Sequence, residues 1–175
     1  MKILRFRENG KVKPGVLLDN GKVLDASNFG KDWNEAFFME NGLDFLEGWV
    51  ERNKDTGVLH EFKGLPLDSA IARPSKIVCI GLNFKDHAEE TGAKLPKEPI
   101  IFFKASSALC GPYDNVILPK GSEKTDWEVE LAIVIGKKAN YVSKEKALEY
   151  GAGYILLNDY SERAFQKERG VQWVK

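Results

Sequence analysis

The chain has 175 residues, 43% of them hydrophobic, and its 26 basic and 26 acidic side chains leave no formal net charge. That length holds one ordinary domain, or a small domain plus most of a second; the even charge argues against nucleic acid or an anionic membrane as partner. No apolar run approaches the roughly 18 residues of a bilayer span, and Met1–Arg7 is too short and too charged for a signal peptide, so a soluble, cytoplasmic protein is expected.

The pattern opens on a β-hairpin, Ile3 to Arg7 and Lys13 to Leu18, with Glu8-Asn9-Gly10 as the turn. Asp19-Asn20-Gly21 makes a second turn into Lys22–Asp25. Two helices follow. The first lies near Asn34 to Met39 and ends at Asn41-Gly42; the second lies near Leu43 to Asn53, with Phe45, Leu46, Trp49 and Val50 at helical spacing. The proline-punctuated stretch from Leu65 to Ser75 reads as a linker. A second unit starts at Lys76 with the buried strand Ile77 to Ile80, after which Pro96, Pro99, Pro112 and Pro119 break the chain into loops and short strands. Cys79 and Cys110 sit in apolar settings and read as buried thiols; no Cys-x-x-Cys pair exists. Further on, Ser143 reads as the cap of a helix from Lys144 to Tyr150, ended by Gly151 or Gly153. The strand Tyr154 to Leu157 then delivers Asn158-Asp159 to its exit, and Ser161 reads as the cap of a short helix.

Three groups of residues are candidates for chemistry, each of which, taken alone, also fits an ordinary solvated strand, turn or surface helix. In Asp126-Trp127-Glu128-Val129-Glu130 the acids run into the β-branched block Leu131 to Ile135. As a strand this puts Glu128 and Glu130 on one face, with Asp126 beside them. A lone Glu-x-Glu is more often a solvated strand edge. Two adjacent carboxylates repel, however, and a hard cation such as Mg²⁺, Mn²⁺ or Ca²⁺ removes the repulsion. Asp159, at a strand exit, is a turn residue or an acid that can complete a three-carboxylate set with positions open to water and substrate. The second group follows Gly81, with Asn83 as the cap of a helix bearing His87 and Glu90 at i, i+3. A carboxylate beside an imidazole fixes its tautomer and raises its basicity, which suits a general base acting on water. The third is Arg163 and Gln166, one helix turn apart: a fork for a carboxylate and a hydrogen-bonding partner for a carbonyl. His60 lies in a polar stretch and is assigned no role.

Together these segments resemble the fumarylacetoacetate hydrolase superfamily. The likeness rests on Ile80-Gly81-Leu82-Asn83-Phe84-Lys85-Asp86-His87-Ala88-Glu89-Glu90, Pro99 to Lys104, Gly111-Pro112-Tyr113-Asp114, Asp126 to Gly136, Gly153-Tyr154 and Asn158 to Arg163. It covers Lys76 to Lys175, and the first 70 or so residues look like the small N-terminal domain of bacterial members, among them proteins similar to 2,4-diketo-3-deoxy-sugar-acid hydrolases and acylpyruvate hydrolases. The fold so implied is α+β: a small N-terminal α/β domain, residues 1–72, then a mixed, rolled β-sheet domain of this type, residues 73–175, incomplete at its C-terminus.

The resemblance further implies metal ligands at Glu128, Glu130 and Asp159, holding Mg²⁺ or Mn²⁺, with Ca²⁺ also suitable. Asn83 stands where the founding members have an Asp, as in the three-carboxylate subgroup. His87 and Glu90 match a water-activating dyad on a lid helix; Arg163 and Gln166 match substrate-contacting positions. The implied reaction is hydrolysis of a C–C bond in a β-diketo or acylpyruvate-type acid, a small keto acid being the partner and a homodimer the assembly of the full-length parent. Decarboxylation of an oxaloacetate-type acid or isomerisation of a dienoate would use the same site. The family motif around Gln172-Trp173 continues to a catalytic Lys a few residues past the Trp, so Lys175 is not that residue and the chain reads as a C-terminally shortened member. A metal-binding fragment without turnover, and an interaction module with a structural acidic face, are therefore the competing readings.

Overall fold

A computed structural model describes residues 1–169; Gln172, Trp173 and Lys175 lie outside the described residues. In chain order the elements are β1 (Lys2–Glu8), β2 (Lys11–Leu17), β3 (Lys22–Asp25), α1 (Glu35–Met39), α2 (Gly42–Asn53), β4 (Leu59–Glu61), β5 (Leu67–Asp68), β6 (Ile77–Gly81), α3 (Lys85–Glu90), β7 (Ile100–Lys104), β8 (Thr125–Asp126), β9 (Val129–Ile135), β10 (Gly151–Asn158) and β11 (Ser161–Glu162). They gather into two compact units. The first holds Met1–Pro74, Leu109–Val116 and Val129–Leu157; the second holds Ser75–Ala108, Ile117–Glu128 and the chain from Asn158.

The first unit is built on an antiparallel sheet of order β4-β3-β2-β1-β5. Its hairpin turn is Asn9-Gly10, with Glu8 opposite Lys11 and positive φ at both turn residues (50° and 74°). That is the backbone of a type I′ turn, which Asn-Gly adopts at least cost and whose twist matches the strands it joins. Asn34 caps α1 by accepting from the Phe37 N–H at 3.0 Å. Asn41, at φ 54°, then redirects the chain into α2, and Gly42 lies so close to Phe37 that a Cβ would run into the ring. Trp33, Phe37, Leu46 and Val16 form the core over the sheet; Trp33 is fully buried and its indole N–H donates to the Leu4 carbonyl at 2.7 Å. Leu109–Val116 is tied to this unit by Asp114, whose two oxygens accept from Arg7 at 2.5 and 2.6 Å.

Several expected elements differ. The proline-rich linker contains β5, which pairs Leu67 with Phe6 and Asp68 with Arg5. Phe45 is exposed, and Leu46 is the side chain that α2 buries, with Trp49 and Val50 half-buried against the core. The Lys144–Tyr150 helix is a 3₁₀ turn, and Ser143 makes no side-chain cap. Neither thiol is fully buried: Cys79 is half-buried and Cys110 exposed. On β9 the pleat is one-sided, with Val129, Leu131, Ile133 and Ile135 exposed while Val134 packs on the core; Tyr154 and Leu156 of its partner β10 are exposed too.

In the second unit β6 pairs antiparallel with β7, setting Val78 against Phe103 and Ile80 against Ile101. All four side chains are exposed, so β6 is not the buried strand its composition suggests. After β6 the chain turns at Leu82 (φ 51°) into α3, whose cap is Phe84 rather than Asn83. The expected continuous acidic strand is divided: β8 ends at Asp126 and β9 begins at Val129, with Trp127 and Glu128 between. Ser161 is not a helix cap but part of β11, which pairs with β8 through Ser161 with Asp126 and Glu162 with Thr125. Among the described residues no helix is long and apolar enough to cross a membrane.

Candidate functional site

Acidic residues of the second unit are brought together where β8 meets the segment after β10. The Asp159 N–H donates to the Glu128 carbonyl at 2.8 Å, and the Glu128 N–H donates to Asn158 Oδ1 at 3.2 Å. These two bonds engage the backbone of Glu128 and explain why the strand is broken there. They also set two of the three expected ligand residues side by side in the fold. Glu130, the third, is half-buried on β9 in the first unit.

Each carboxylate in this group already faces a cation. Lys104 Nζ lies 2.5 Å from Asp159 Oδ1 and donates to the Tyr160 carbonyl at 3.1 Å. The Lys104 and Asp159 side chains are only 13% and 9% exposed, so the pair is nearly out of water. Arg163 donates to Asp126 Oδ2 from Nε at 3.0 Å and from Nη2 at 2.9 Å, and Nη2 also reaches Glu128 Oε1. Its Nη1 donates to Gln166 Oε1 at 3.1 Å, so the expected Arg163–Gln166 pair does meet, on a single π-helical turn. Burial works against the charge of Arg163, but Asp126 and Glu128 outweigh it and hold its pKa above the usual value.

Behind this group lies a residue the sequence did not single out. Glu162 is buried, and its carboxylate accepts from Ser122 Oγ, from Thr125 Oγ1 at 2.7 Å, and from the N–H groups of Lys124 and Ala164 at 3.1 Å each. Burial pushes its pKa up, and the four donors more than reverse that.

The expected base is placed differently. His87 and Glu90 are both exposed on α3, and among the described residues no hydrogen bond or ion pair joins them to each other or to Glu128 or Asp159.

A second cluster lies on the first unit's sheet. Glu8, Asp25 and His60, on β1, β3 and β4, offer ligand atoms within 4.8 Å of one another. Lys13 of β2 fills the cluster, its ammonium 2.6 Å from Glu8 and 2.9 Å from Asp25. His60 turns Nδ1 toward Glu8 at 3.8 Å and Nε2 toward Asp25 at 3.9 Å. One metal ion takes a single imidazole nitrogen, and Lys13 already supplies the positive charge, so this arrangement suits a structural ion-pair network better than a metal centre.

The candidate donors of the second unit are carboxylate oxygens only, the type a hard dication takes; Lys104 and Arg163 hold them in this structure, and among the described residues it is Glu8, Asp25 and His60, not these carboxylates, whose ligand atoms lie within 4.8 Å of one another. Antiparallel sheets with short helices, carrying carboxylates at strand ends, define an α+β protein with an acidic site. Residues 76–175 match the fumarylacetoacetate (FAA) hydrolase C-terminal family model, and the chain belongs to that family. It is 44% identical, over its whole length, to a curated protein of Burkholderia ambifaria provisionally named a hydrolase, and spans 61% of that relative. Among solved structures it is similar to the maleylpyruvate hydrolase of Sphingobium sp. SYK-6, solved with manganese(II) and pyruvate (25% identity, TM-score 0.76, 93% of this chain and 60% of that one). It is also similar to the 5-carboxymethyl-2-hydroxymuconate delta-isomerase of Mycobacterium smegmatis (28% identity, TM-score 0.71, 99% and 59%).

Proposed function

We propose that the chain carries the acidic part of the active site of an enzyme that adds water across a C–C bond of a short β-diketo or acylpyruvate-type acid. The observation behind this reading is the Glu128–Asp159 backbone bond with a cation on each carboxylate. Glu128, Glu130 and Asp159 would hold Mg²⁺ or Mn²⁺, with Ca²⁺ also suited to such oxygens. When bound, the cation supplies Lewis acidity toward the 2-oxo group and countercharge for an enolate.

The remaining work falls to the chain's own residues. His87 takes a proton from water, and Glu90, one turn along α3, orients the ring. Both are exposed, so α3 has to close over the substrate for this to happen. The water oxygen bonds to the carbonyl carbon farther from the carboxylate. The C–C bond then breaks, its electron pair passing to the pyruvate fragment as enolate while the other fragment leaves as a carboxylic acid. Protonation of the enolate at carbon gives pyruvate. Arg163 forks onto the substrate carboxylate and Gln166 donates to a carbonyl. Without substrate that fork is held by Asp126 and Glu128, so uptake of substrate exchanges one of these partners.

The likeness to an isomerase favours a second reading, enolate formation without water addition, since the same site stabilises an enolate however it is made. The exposure of His87 and Glu90, which no bond joins to the acidic group among the described residues, favours a third, cation binding without turnover. Incubating the purified chain with Mn²⁺ and acetylpyruvate separates them. Equimolar acetate and pyruvate support hydrolysis. Tautomer exchange at C3 without cleavage supports the second reading, and Mn²⁺ binding with neither supports the third.

A further inference from the structure

The ladder between β8 and β11 is two residues long, too short to hold its two segments in register unaided. Alternation puts Thr125 and Asp126 on opposite faces of it, with Glu162 paired to Thr125 and Ser161 to Asp126; Arg163 follows the strand at the start of the next helical turn. On one face Arg163 meets Asp126 and Glu128. On the other the buried Glu162 carboxylate gathers four donors from both segments: the hydroxyls of Ser122 and Thr125 and the N–H of Lys124 from the first, the N–H of Ala164 from its own. Three of those donors lie just before Asp126 and one follows Arg163, so the clamp joins the two segments beside the acidic group. We propose that Glu162 is a positioning residue for the acidic site, fixing Asp126–Glu128 against Asp159–Arg163 without itself touching cation or substrate. This rests on the reading of Glu128 and Asp159 as cation ligands.

The hydrogen-bond pattern distinguishes shape from charge. Lys124 and Ala164 both bond Oε1, while the two hydroxyls share Oε2. Hydroxyls both donate and accept, so a Gln can leave its oxygen on the backbone donors and turn its NH₂ to Ser122 and Thr125. Glu162→Gln should therefore retain the clamp and Glu162→Ala lose it.

Two measurements on the whole chain test this: amide exchange at Asp159 and Arg163, whose N–H groups cross to the Glu128 and Lys124 carbonyls, and Mn²⁺ affinity by electron paramagnetic resonance. Glu162→Ala should speed exchange at both amides and weaken Mn²⁺ binding at least about tenfold, with Glu162→Gln close to wild type. Should Glu162→Ala fail to fold, the Ser122→Ala/Thr125→Val pair removes half the donors and should move both readouts the same way. Unchanged exchange overturns the clamp. Faster exchange with unchanged Mn²⁺ affinity, while Glu128→Gln abolishes binding, overturns its action on the site. A wild-type chain that binds no Mn²⁺ overturns the ligand reading instead, and exchange alone then decides whether the clamp exists.

Discussion

Replacing Lys104 by Met should tighten divalent-cation binding, although it removes an ion pair. The ammonium lies 2.5 Å from Asp159 Oδ1, in a pair about nine-tenths buried. A dication coordinated at ~2.1 Å by the same carboxylate would sit ~5 Å from Nζ. At that distance the two repel by ~7 kcal/mol at an effective dielectric of ~20, and by ~2 kcal/mol even in bulk water. At ~1.4 kcal/mol per tenfold, the water limit alone predicts at least about tenfold tighter Mn²⁺. The metal-free variant should melt lower than wild type, because a nearly buried Asp159 loses its partner at a cost of up to ~3–5 kcal/mol. The gain in melting temperature with Mn²⁺ should be correspondingly larger, since a ligand that binds only the folded state stabilises by mass action. The assay is a Mn²⁺ titration of folded Lys104→Met beside wild type, with Glu128→Gln as the non-binding control. Equal or weaker affinity in the folded variant would refute the argument and make Lys104 an orienting partner of Asp159 rather than a competitor for it.

The other cluster gives the opposite expectation: His60→Ala should leave Mn²⁺ affinity as in wild type, because Lys13 already occupies the space between Glu8 and Asp25. A loss matching that of Glu128→Gln would relocate the cation to the N-terminal sheet. Trp33→Ala should cost ~3–5 kcal/mol in urea unfolding, since it empties a fully buried site against Phe37 and removes the indole hydrogen bond to the Leu4 carbonyl; a cost under ~1 kcal/mol would mean the site collapses without a cavity. Asp114 should show in the pH dependence. The Arg7 guanidinium and the Gly111 N–H lower its pKa from 3.8 to about 2. A carboxyl lowered on folding contributes stability above its unfolded value and loses it as pH falls through the folded one. The urea-midpoint gap between wild type and Asp114→Asn should thus be constant above about pH 4 and close toward pH 2; a gap unchanged at pH 2 would contradict the pairing.

What the sequence disclosed of the fold was whatever local physics enforces. Asn9-Gly10 demands positive φ and so announces its hairpin; α1 starts where Asn34 can accept from the otherwise unpaired Phe37 N–H. The elements it concealed are those made by distant partners. β4 and β5 are three and two residues long, too short for any alternation to register, and exist because β3 and β1 offer them free edges. The division of the acidic strand has the same origin, since the bonds that draw Glu128 out of the ladder come from Asn158 and Asp159, 30 residues and more along the chain.

In the site, residue type was legible and partnership was not. A guanidinium after a strand-exit acid announces a carboxylate to be bound, and the sequence around Arg163 points to one from a substrate. Its partners without substrate are Asp126 and Glu128 of the same chain. Lys104 stood in plain view at the end of an apolar run with nothing nearby in sequence to explain it, because Asp159 lies 55 positions on. The two cations answer one electrostatic requirement. Asp126, Glu128 and Asp159 could not be brought together, one of them nearly buried, without positive charge arriving alongside. A chain that folds before it meets a cation must carry that charge itself and must be able to release it. Lys104 and Arg163 meet both conditions through flexible side chains, and their release would free them to face the anionic substrate that the cation is proposed to hold.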